Sequence, residues 1–500
     1  MARTPAPLEA KARRPLAARA ALPFTIPLDR EAPESLPQQI AAYLRAAIRD
    51  GRLPPGTPLP SSRALARDLG VSRGVPLDAY AHLLTEGYLE AQHGSGTRVA
   101  RDLPPGAPTP VRAAPPTWLP PLIPAPVDPP ATPGGVHLRL GQPTTRTLDT
   151  HAWRAAWTHA TRAAPPDDYG DPRGDPALRA ALATFIGRAR ALSAHPDDLI
   201  LTNGSAQAIT LIARALLPPS ATVAFEDPGY RLARTALAEA GARILPIAVD
   251  DDGLRVDTLP VGPDAPRLVF VTPSHQYPLG VRLALPRRLA LLAWARAHDA
   301  LIIEDDYDGE YRYDAPPLPP LASLDNTGRV LYVGTLSKVL TPAVRTAFIH
   351  AAPPLAARLT RARQVTDAGG DAITQAALAH FIAGGHLDRH VRRTARTYAQ
   401  VRQTLSDALL PLKPHATLRG LDAGLHACLD LAPPLRADRV AAALATRGVH
   451  VQTLRGYYAE PSEHQALLLG YGSLTHADAQ HAARTLRSVI MALRDEEGAA

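Results

Sequence analysis

The stretch "LPPGAPTPVRAAPPTWLPPLIPAPVDPPATPGG", residues 103–135, cannot lie in a helix interior or in a central strand. Each proline fixes φ and lacks the backbone donor that both ladders need. The segment is expected to be an extended, semi-rigid linker. A chain of 500 residues must then build separate cores on either side of it, and that length already exceeds one ordinary domain.

Residues 26–102 read as a small module. In "LPQQIAAYLRAAIRD" the positions Ile40, Tyr43, Leu44, Ala47 and Ile48 form one helical stripe. "SSRALARDLG" reads as a short helix with Ser61 or Ser62 as its N-cap. Gly70, Val71 and Ser72 form a tight turn, and Ser72 is expected to cap the next helix, "RGVPLDAYAHLLTEGYL". Two short helices around such a turn make a helix-turn-helix. "LEAQHGSGTRVA" then reads as a β-hairpin wing with a Gly-rich tip. Residues 1–25 are basic, lack a long apolar run, and are expected to be a disordered arm rather than a secretory signal.

The ordered motifs "LPPGTPLPSSRALARDLGVSR", "AYAHLLTEGYL" and "GSGTRV" resemble the winged helix-turn-helix of GntR-type bacterial regulators. The resemblance implies double-stranded operator DNA as partner, with the second helix in the major groove. It implies that Arg63 and Arg73 meet phosphates or bases, that Ser62 meets a phosphate with Ser72 at the turn, and that His93 and Gly94 enter the minor groove. One departure stands out. Gly74-Val75-Pro76 replaces the usual polar pair and aliphatic residue, so readout there has no side-chain hydrogen bonds after Arg73. Pro76 falls within the first helical turn, where a missing donor costs least.

Beyond the linker, residues 136–500 alternate short apolar runs with helical ones. "DDLILTNG", "ATVAFEDPG", "ARILPIAV", "RLVFVTPS", "ALIIEDDY" and "RVLYVGTLSK" are the strand candidates. The pattern predicts an α/β fold with a large, mostly parallel sheet, and a smaller α+β domain from about residue 355.

One residue in this half is out of character. The chain has 54 Lys plus Arg, yet the only lysines are Lys11, Lys338 and Lys413. A lysine just past a buried strand, as in "GTLSKVL", is costly unless paired or chemically engaged. An imine with the aldehyde of pyridoxal 5'-phosphate (PLP) is one solution, and arginine cannot provide it. Such a site needs an acid for the ring nitrogen, a donor for the phenolic oxygen, an aromatic face and an anion cradle. Asp305 and Tyr307 follow one strand, and Tyr230 follows another. Gly204, Ser205 and Ala206 open a helix where backbone N–H groups can meet a phosphate. Thr335, Ser337 and Arg345 flank the lysine.

"YGDPRGDPALRAAL", "EDPGY", "VTPSHQYPLG", "IIEDDYDGEYRY" and "GTLSK" make residues 136–500 similar to fold-type I aminotransferases. The whole chain resembles MocR-type (GabR-like) regulators, which fuse a GntR-type winged helix to such a domain. The resemblance implies that Lys338 forms the Schiff base, Asp305 pairs with the pyridinium, Tyr307 bonds the phenolic oxygen and Tyr230 stacks. It implies that Ser205, Gln207, Ser337 and Arg345 hold the phosphate and that His275 lies near the ring edge. No metal site is expected, since the Asp305–Tyr307 pair already gives the Asp305, Asp306 and Asp308 run a role.

Three positions depart from amino-acid transaminases. The expected carboxylate-reading arginines are Leu232 and Ser473 here, and Leu279 stands where Ser or Thr is usual. Efficient transamination is therefore not expected. The main reading is a regulator whose PLP domain senses PLP or a PLP–amine adduct, formed with a small amine or amino acid. The alternative is a working aminotransferase carrying a DNA-binding module. A homodimer is expected by resemblance. A single cysteine, Cys428, excludes a disulfide framework, and with no run of membrane-spanning length the sequence points to the cytoplasm.

Overall fold

A computed structural model describes residues 21–92, 96–102, 118, 134–313 and 319–498. The chain divides into two compact units, Met1–Leu122 and Ile123–Ala500. His93, Gly94, residues 1–20 of the basic arm and nearly all of the proline-rich stretch lie outside the described residues.

In the first unit α1 spans Leu36–Arg49 and buries Ile40, Ala41, Leu44, Ala47 and Ile48. Its start is held by the Ser35 amide, which donates to Gln38 Oε1 at 2.9 Å. Leu22 and Phe24, from the end of the expected arm, pack against the same core. Helix α2, Ser62–Leu69, is capped by Ser61, whose hydroxyl accepts from the Ala64 amide at 3.2 Å. It ends at Gly70, whose φ of 64° is the left-handed turn conformation that glycine tolerates.

Helix α3 spans Gly74–Thr85 and its N-cap is Arg73, not Ser72. Arg73 already has helical angles, and Ser72 contributes its carbonyl, which accepts from the Val75 amide at 3.1 Å. The expected Ser72 side-chain cap is thus replaced by a backbone turn. Pro76 lies in the first turn, as the sequence requires. Strands β1, Leu89–Gln92, and β2, Gly96–Val99, pair antiparallel as the wing. The segment at Thr57–Leu59 backs them, with Leu59 donating to Thr97 and Val99 to Thr57.

The second unit is built on an eight-stranded sheet. Its strands are β3 Leu199–Thr202, β4 Thr222–Asp227, β5 Arg243–Asp250, β6 Gly253–Leu254, β7 Leu268–Val271, β8 Leu301–Asp306, β9 Val330–Thr335 and β10 Ala347–His350. The order is β3-β10-β9-β8-β7-β4-β5-β6. The five from β9 to β5 are parallel, and β10 runs antiparallel to both of its neighbours. All six strand candidates from the sequence are strands of this sheet. Both faces are covered, which explains their unbroken apolar runs. Ile209, Ile212 and Leu237 pack with Phe225, Phe270 and Val333 on one face, and Leu291 and Trp294 with Val269 and Ile302 on the other.

A second, antiparallel sheet of four strands contains β11 Ala416–Arg419, β12 His426–Leu431, β13 Gln452–Thr453 and β14 Ala466–Gly470, in the order β11-β12-β14-β13. Among the described residues no helix is long and apolar enough to cross a membrane.

Candidate functional site

The carboxyl ends of the parallel strands converge on one cavity. Its walls include Ser205, Tyr230, Leu232, Thr272, Tyr277, Asp305, Tyr307, Thr335, Ser337, Lys338 and Arg345. Ligands of open α/β sheets bind at this edge. Register places Asp305 beside Val333 on neighbouring strands, with Lys338 three residues past the end of β9.

The Lys338 amine donates to the carbonyl of Gly141 at 2.8 Å. Burial pushes its pKa down, against the pull of the Asp308 and Asp305 carboxylates. A neutral amine is the nucleophilic form. Asp305 is pushed up to about 7, first by burial and then by the neighbouring Asp306 charge, with Lys338 opposing. Its Oδ1 is buried without a hydrogen-bond partner. A buried carboxylate oxygen facing a cavity calls for a donor or a cation.

The acidic run at the end of β8 is shared out by strand alternation. Asp305 faces the cavity. Asp306 turns away and accepts from Arg190 Nε at 2.7 Å and from the Tyr332 hydroxyl at 2.9 Å. Arg190 also donates to the Gly309 carbonyl and to Ser274 Oγ, so its buried charge is paired. Asp308 Oδ2 lies 3.0 Å from His275 Nδ1. The Tyr307 hydroxyl donates to the His275 carbonyl at 2.8 Å, and its pKa is raised by burial. His275 does not line the cavity. It lies behind Tyr307, its Nε2 3.2 Å from the Gly420 carbonyl.

The anion side of the cavity is the start of the helix Ser205–Leu216, with Gly204 as N-cap. Ser205 and Ala206 line the cavity there with Ser337 and Arg345. Arg345 Nη2 donates to the Asn203 carbonyl at 3.1 Å, against Gly204, where a Cβ would come within 2.7 Å of that nitrogen. The Tyr230 hydroxyl bonds Ser205, and burial pushes its pKa up to about 12. Gln207 stands apart: it accepts from the Asn203 amide and donates to Asp367 Oδ2, each at 2.7 Å. Thr335 Oγ1 accepts from the Ser337 amide, which fixes the turn into Lys338.

Sequence reasoning had not singled out Gly141, Thr272, Tyr277, Glu226 or His426. Thr272 receives its orientation from Glu226, a fully buried carboxyl that accepts from both the Thr272 amide and hydroxyl. Burial pushes Glu226 up to about 7. His426, on β12, packs 4.5 Å from the His275 ring, and its pKa is driven well down by burial and by His275. Leu232 does line the cavity. Ser473 does not, and its carbonyl accepts from Arg146 at 2.8 Å.

In the first unit Ser62 is half-buried at the start of α2, while Arg63, Ser72 and Arg73 are exposed. All four sit at or before the N-terminal ends of α2 and α3, the pattern of groups that meet DNA in helix-turn-helix proteins.

Comparison with known proteins agrees with this division. Residues 36–99 match the model of bacterial regulatory proteins of the gntR family, and residues 135–486 match aminotransferase class I and II. The HTH-type pyridoxine biosynthesis transcriptional regulator PdxR of Corynebacterium glutamicum is 37% identical over 476 residues, spanning 94% of this chain and 98% of the relative. The probable rhizopine catabolism regulatory protein MocR of Rhizobium meliloti is 35% identical over 478 residues, spanning 93% and 96%. Among solved structures, Pyrococcus horikoshii kynurenine aminotransferase superposes with a TM-score of 0.67 at 25% identity, covering 72% of this chain and 92% of that one. The chain belongs to the MocR-type regulators of the GntR family, in which a winged helix-turn-helix is joined to a fold-type I aminotransferase-like domain.

Proposed function

We propose that the aminotransferase-like domain of this regulator binds PLP, alone or joined to a small amine, and that this binding controls the grip of the winged helix on operator DNA. One observation carries the reading. Lys338, with its pKa lowered, and Asp305, with an unpartnered buried oxygen, face one cavity whose far side is a helix N-terminus. These are the amine, the acid and the anion cradle that PLP needs.

Lys338 would hold the aldehyde carbon, Asp305 the ring nitrogen and Tyr307 the phenolic oxygen. Tyr230 would cover the ring, and Ser205, Ser337 and Arg345 would hold the phosphate. The group supplies an aldehyde that condenses with amines and a cationic ring that draws electrons. Asp305 would stay ionised against that cation, and Glu226 would keep Thr272 turned toward the ring's pocket. Gly141 holds the Lys338 amine in place with its carbonyl. His275, held between Asp308 and Gly420, supports Tyr307 from behind.

The cavity walls favour sensing over turnover. Lys338 and Arg345 are the cationic residues among them, and Leu232 is apolar. If Arg345 holds the phosphate, no wall residue remains to read a substrate carboxylate bidentately. A second copy of the chain is part of the reading: Thr161–Gly170 is exposed at every position, with Tyr169 at 86%. The PdxR relative is named for pyridoxine biosynthesis, which makes PLP the first effector to try.

The test is fluorescence anisotropy with duplexes from the DNA upstream of the chain's own gene and its neighbours, with and without PLP. A PLP-dependent change in specific affinity that is lost in Lys338→Ala supports the proposal. Fast transamination of an amino acid without sequence-specific DNA binding would favour an enzyme instead.

A further inference from the structure

We infer that Leu77 is a specificity-determining residue of the DNA-binding unit, and that it reads the C5 methyl group of a thymine in the major groove. The inference rests on the reading of α3 as the helix that enters the groove.

Helix α3 has two faces. Pro76, Ala79, Tyr80 and Leu83 are buried. The Tyr80 hydroxyl also donates to the Pro60 carbonyl at 2.9 Å, which fixes the rotation of the helix about its axis. The opposite stripe is therefore held outward. It runs Arg73, Gly74, Leu77, Asp78, Ala81, His82 and Thr85, all exposed. Positions three and four apart share a helical face, so Arg73, Gly74 and Ala81 flank Leu77 on it.

Leu77 is 51% exposed and, among the described residues from 21 to 102, it is the one large apolar side chain left in that state. Every other large apolar side chain described from residue 21 to residue 102 is at least half-buried. A side chain that the core does not need, on the face turned to DNA, must be judged by what DNA presents. In the major groove the one apolar group on a base edge is the thymine methyl.

The neighbouring residues narrow the choice further. Hydrogen-bonding side chains on this part of the face are Arg73 and Asp78. Gly74 has no conformational reason to be glycine: a Cβ there would meet only Ser72 Oγ, at 4.0 Å. A side chain at 74 would fit the fold and favour the helix. Its absence leaves the helix start bare beside Leu77, which lets the groove floor come close enough for an apolar contact. Arg73 then serves guanine or phosphate, and the contact one turn on is apolar rather than polar.

The experiment begins with the full-length protein and a random duplex library, from which bound sequences are selected. Each thymine of the selected duplex is then replaced singly by deoxyuridine, which lacks only the methyl group. Wild type is expected to lose about fourfold in affinity at one thymine per half-site, the effect of exposing one buried methyl. Leu77→Ala is expected to bind the thymine and uracil duplexes equally at that step, with affinity close to that of wild type on the uracil duplex. Leu77→Met, which keeps an apolar tip, should retain part of the discrimination and shows that loss in Leu77→Ala is not unfolding.

Full thymine–uracil discrimination in Leu77→Ala overturns the inference, as does a wild type indifferent to every methyl group. In either case the selected sequence still stands as evidence of a DNA-binding regulator. A chain that enriches no sequence overturns both.

Discussion

The amine of Lys338 and the carbonyl of Gly141, 197 residues apart in sequence, share a hydrogen bond of 2.8 Å. The nitrogen proposed to react is therefore positioned by the first turn after the linker, not by its own strand alone. Gly141 has a φ of 65°, and a Cβ there would come within 2.7 Å of Nζ. Gly141→Ala must strain the backbone and displace the amine together. It is expected to weaken PLP binding by roughly tenfold, about 1.4 kcal/mol, in a spectroscopic titration. Unchanged affinity would show that the amine does not depend on this contact.

The ligand-free protein should lose stability as pH rises through the weakly acidic range. Glu226, Glu304 and Asp305 are each pushed up to about 7, first by burial, from ordinary values of 4.5, 4.5 and 3.8. Between those limits the folded chain keeps protons that the unfolded chain has released. The folded state then binds more protons, so unfolding free energy falls with rising pH, by up to about 1.4 kcal/mol per pH unit for each group. Urea midpoints at intervals from pH 4.5 to 7.5 measure the slope. Asp305→Asn should make it shallower, and so should bound PLP, whose ring cation keeps Asp305 ionised.

Arg190 and Asp306 form a buried ion pair directly behind Asp305. Removing only the cation leaves Asp306 charged and unpaired. Arg190→Met is expected to cost about 3–5 kcal/mol in urea unfolding. Adding Asp306→Asn should restore a large part of that loss. It should also restore PLP binding, because the unpaired Asp306 charge pushes Asp305 toward its neutral form.

Arg63 and Arg73 are exposed near the N-terminal ends of α2 and α3, the ends expected to meet DNA. If each meets one phosphate, replacing either by alanine lowers the slope of log affinity against log salt by about 0.9. Binding isotherms between low and physiological salt decide this. An arginine that reads a base instead would change sequence preference and leave the slope nearly intact.

Leu232 lines the cavity at a position where the resemblance to transaminases leads one to expect a carboxylate-reading arginine. Leu232→Arg adds a guanidinium to a wall otherwise served by Lys338 and Arg345. The variant is expected to respond to amino acids at roughly tenfold lower concentration than wild type, about 1.4 kcal/mol, as read from the visible spectrum of the PLP-loaded protein. An equal response would mean that another group, such as Arg146 beside Ser473, already reads the carboxylate.

The strands were legible in the sequence because burial on both faces leaves no alternative to runs such as "RLVFV" and "ALII". The sequence also placed Asp305 and Tyr307 together at the end of the "ALII" strand. The lysine was legible by its rarity in an arginine-rich chain. What escaped was non-local. Nothing near Gly141 signals a contact with the turn that follows β9, and nothing near Arg190 signals a partner at Asp306. Glu226 and His426 escaped for the same reason, since each acts through a neighbour brought by the sheet.

The Ser72 cap was misread for a local reason. Serine before an arginine and a glycine fits an N-cap, yet the chain turns one residue later and caps α3 from the backbone. The phosphate role expected for Gln207 illustrates the limit of resemblance. Its side chain is engaged by Asn203 and Asp367 and does not line the cavity.

The central claim is that PLP joins this chain through Lys338. The chain has only Lys11, Lys338 and Lys413, so the modified lysine can be identified without ambiguity. Purified protein is incubated with PLP, reduced with borohydride to fix the carbon–nitrogen bond, digested, and mapped by mass spectrometry. The account expects stoichiometric pyridoxyl label on Lys338 and none in Lys338→Ala. Label on Lys11 or Lys413 at the same yield, or no label at all, would contradict it.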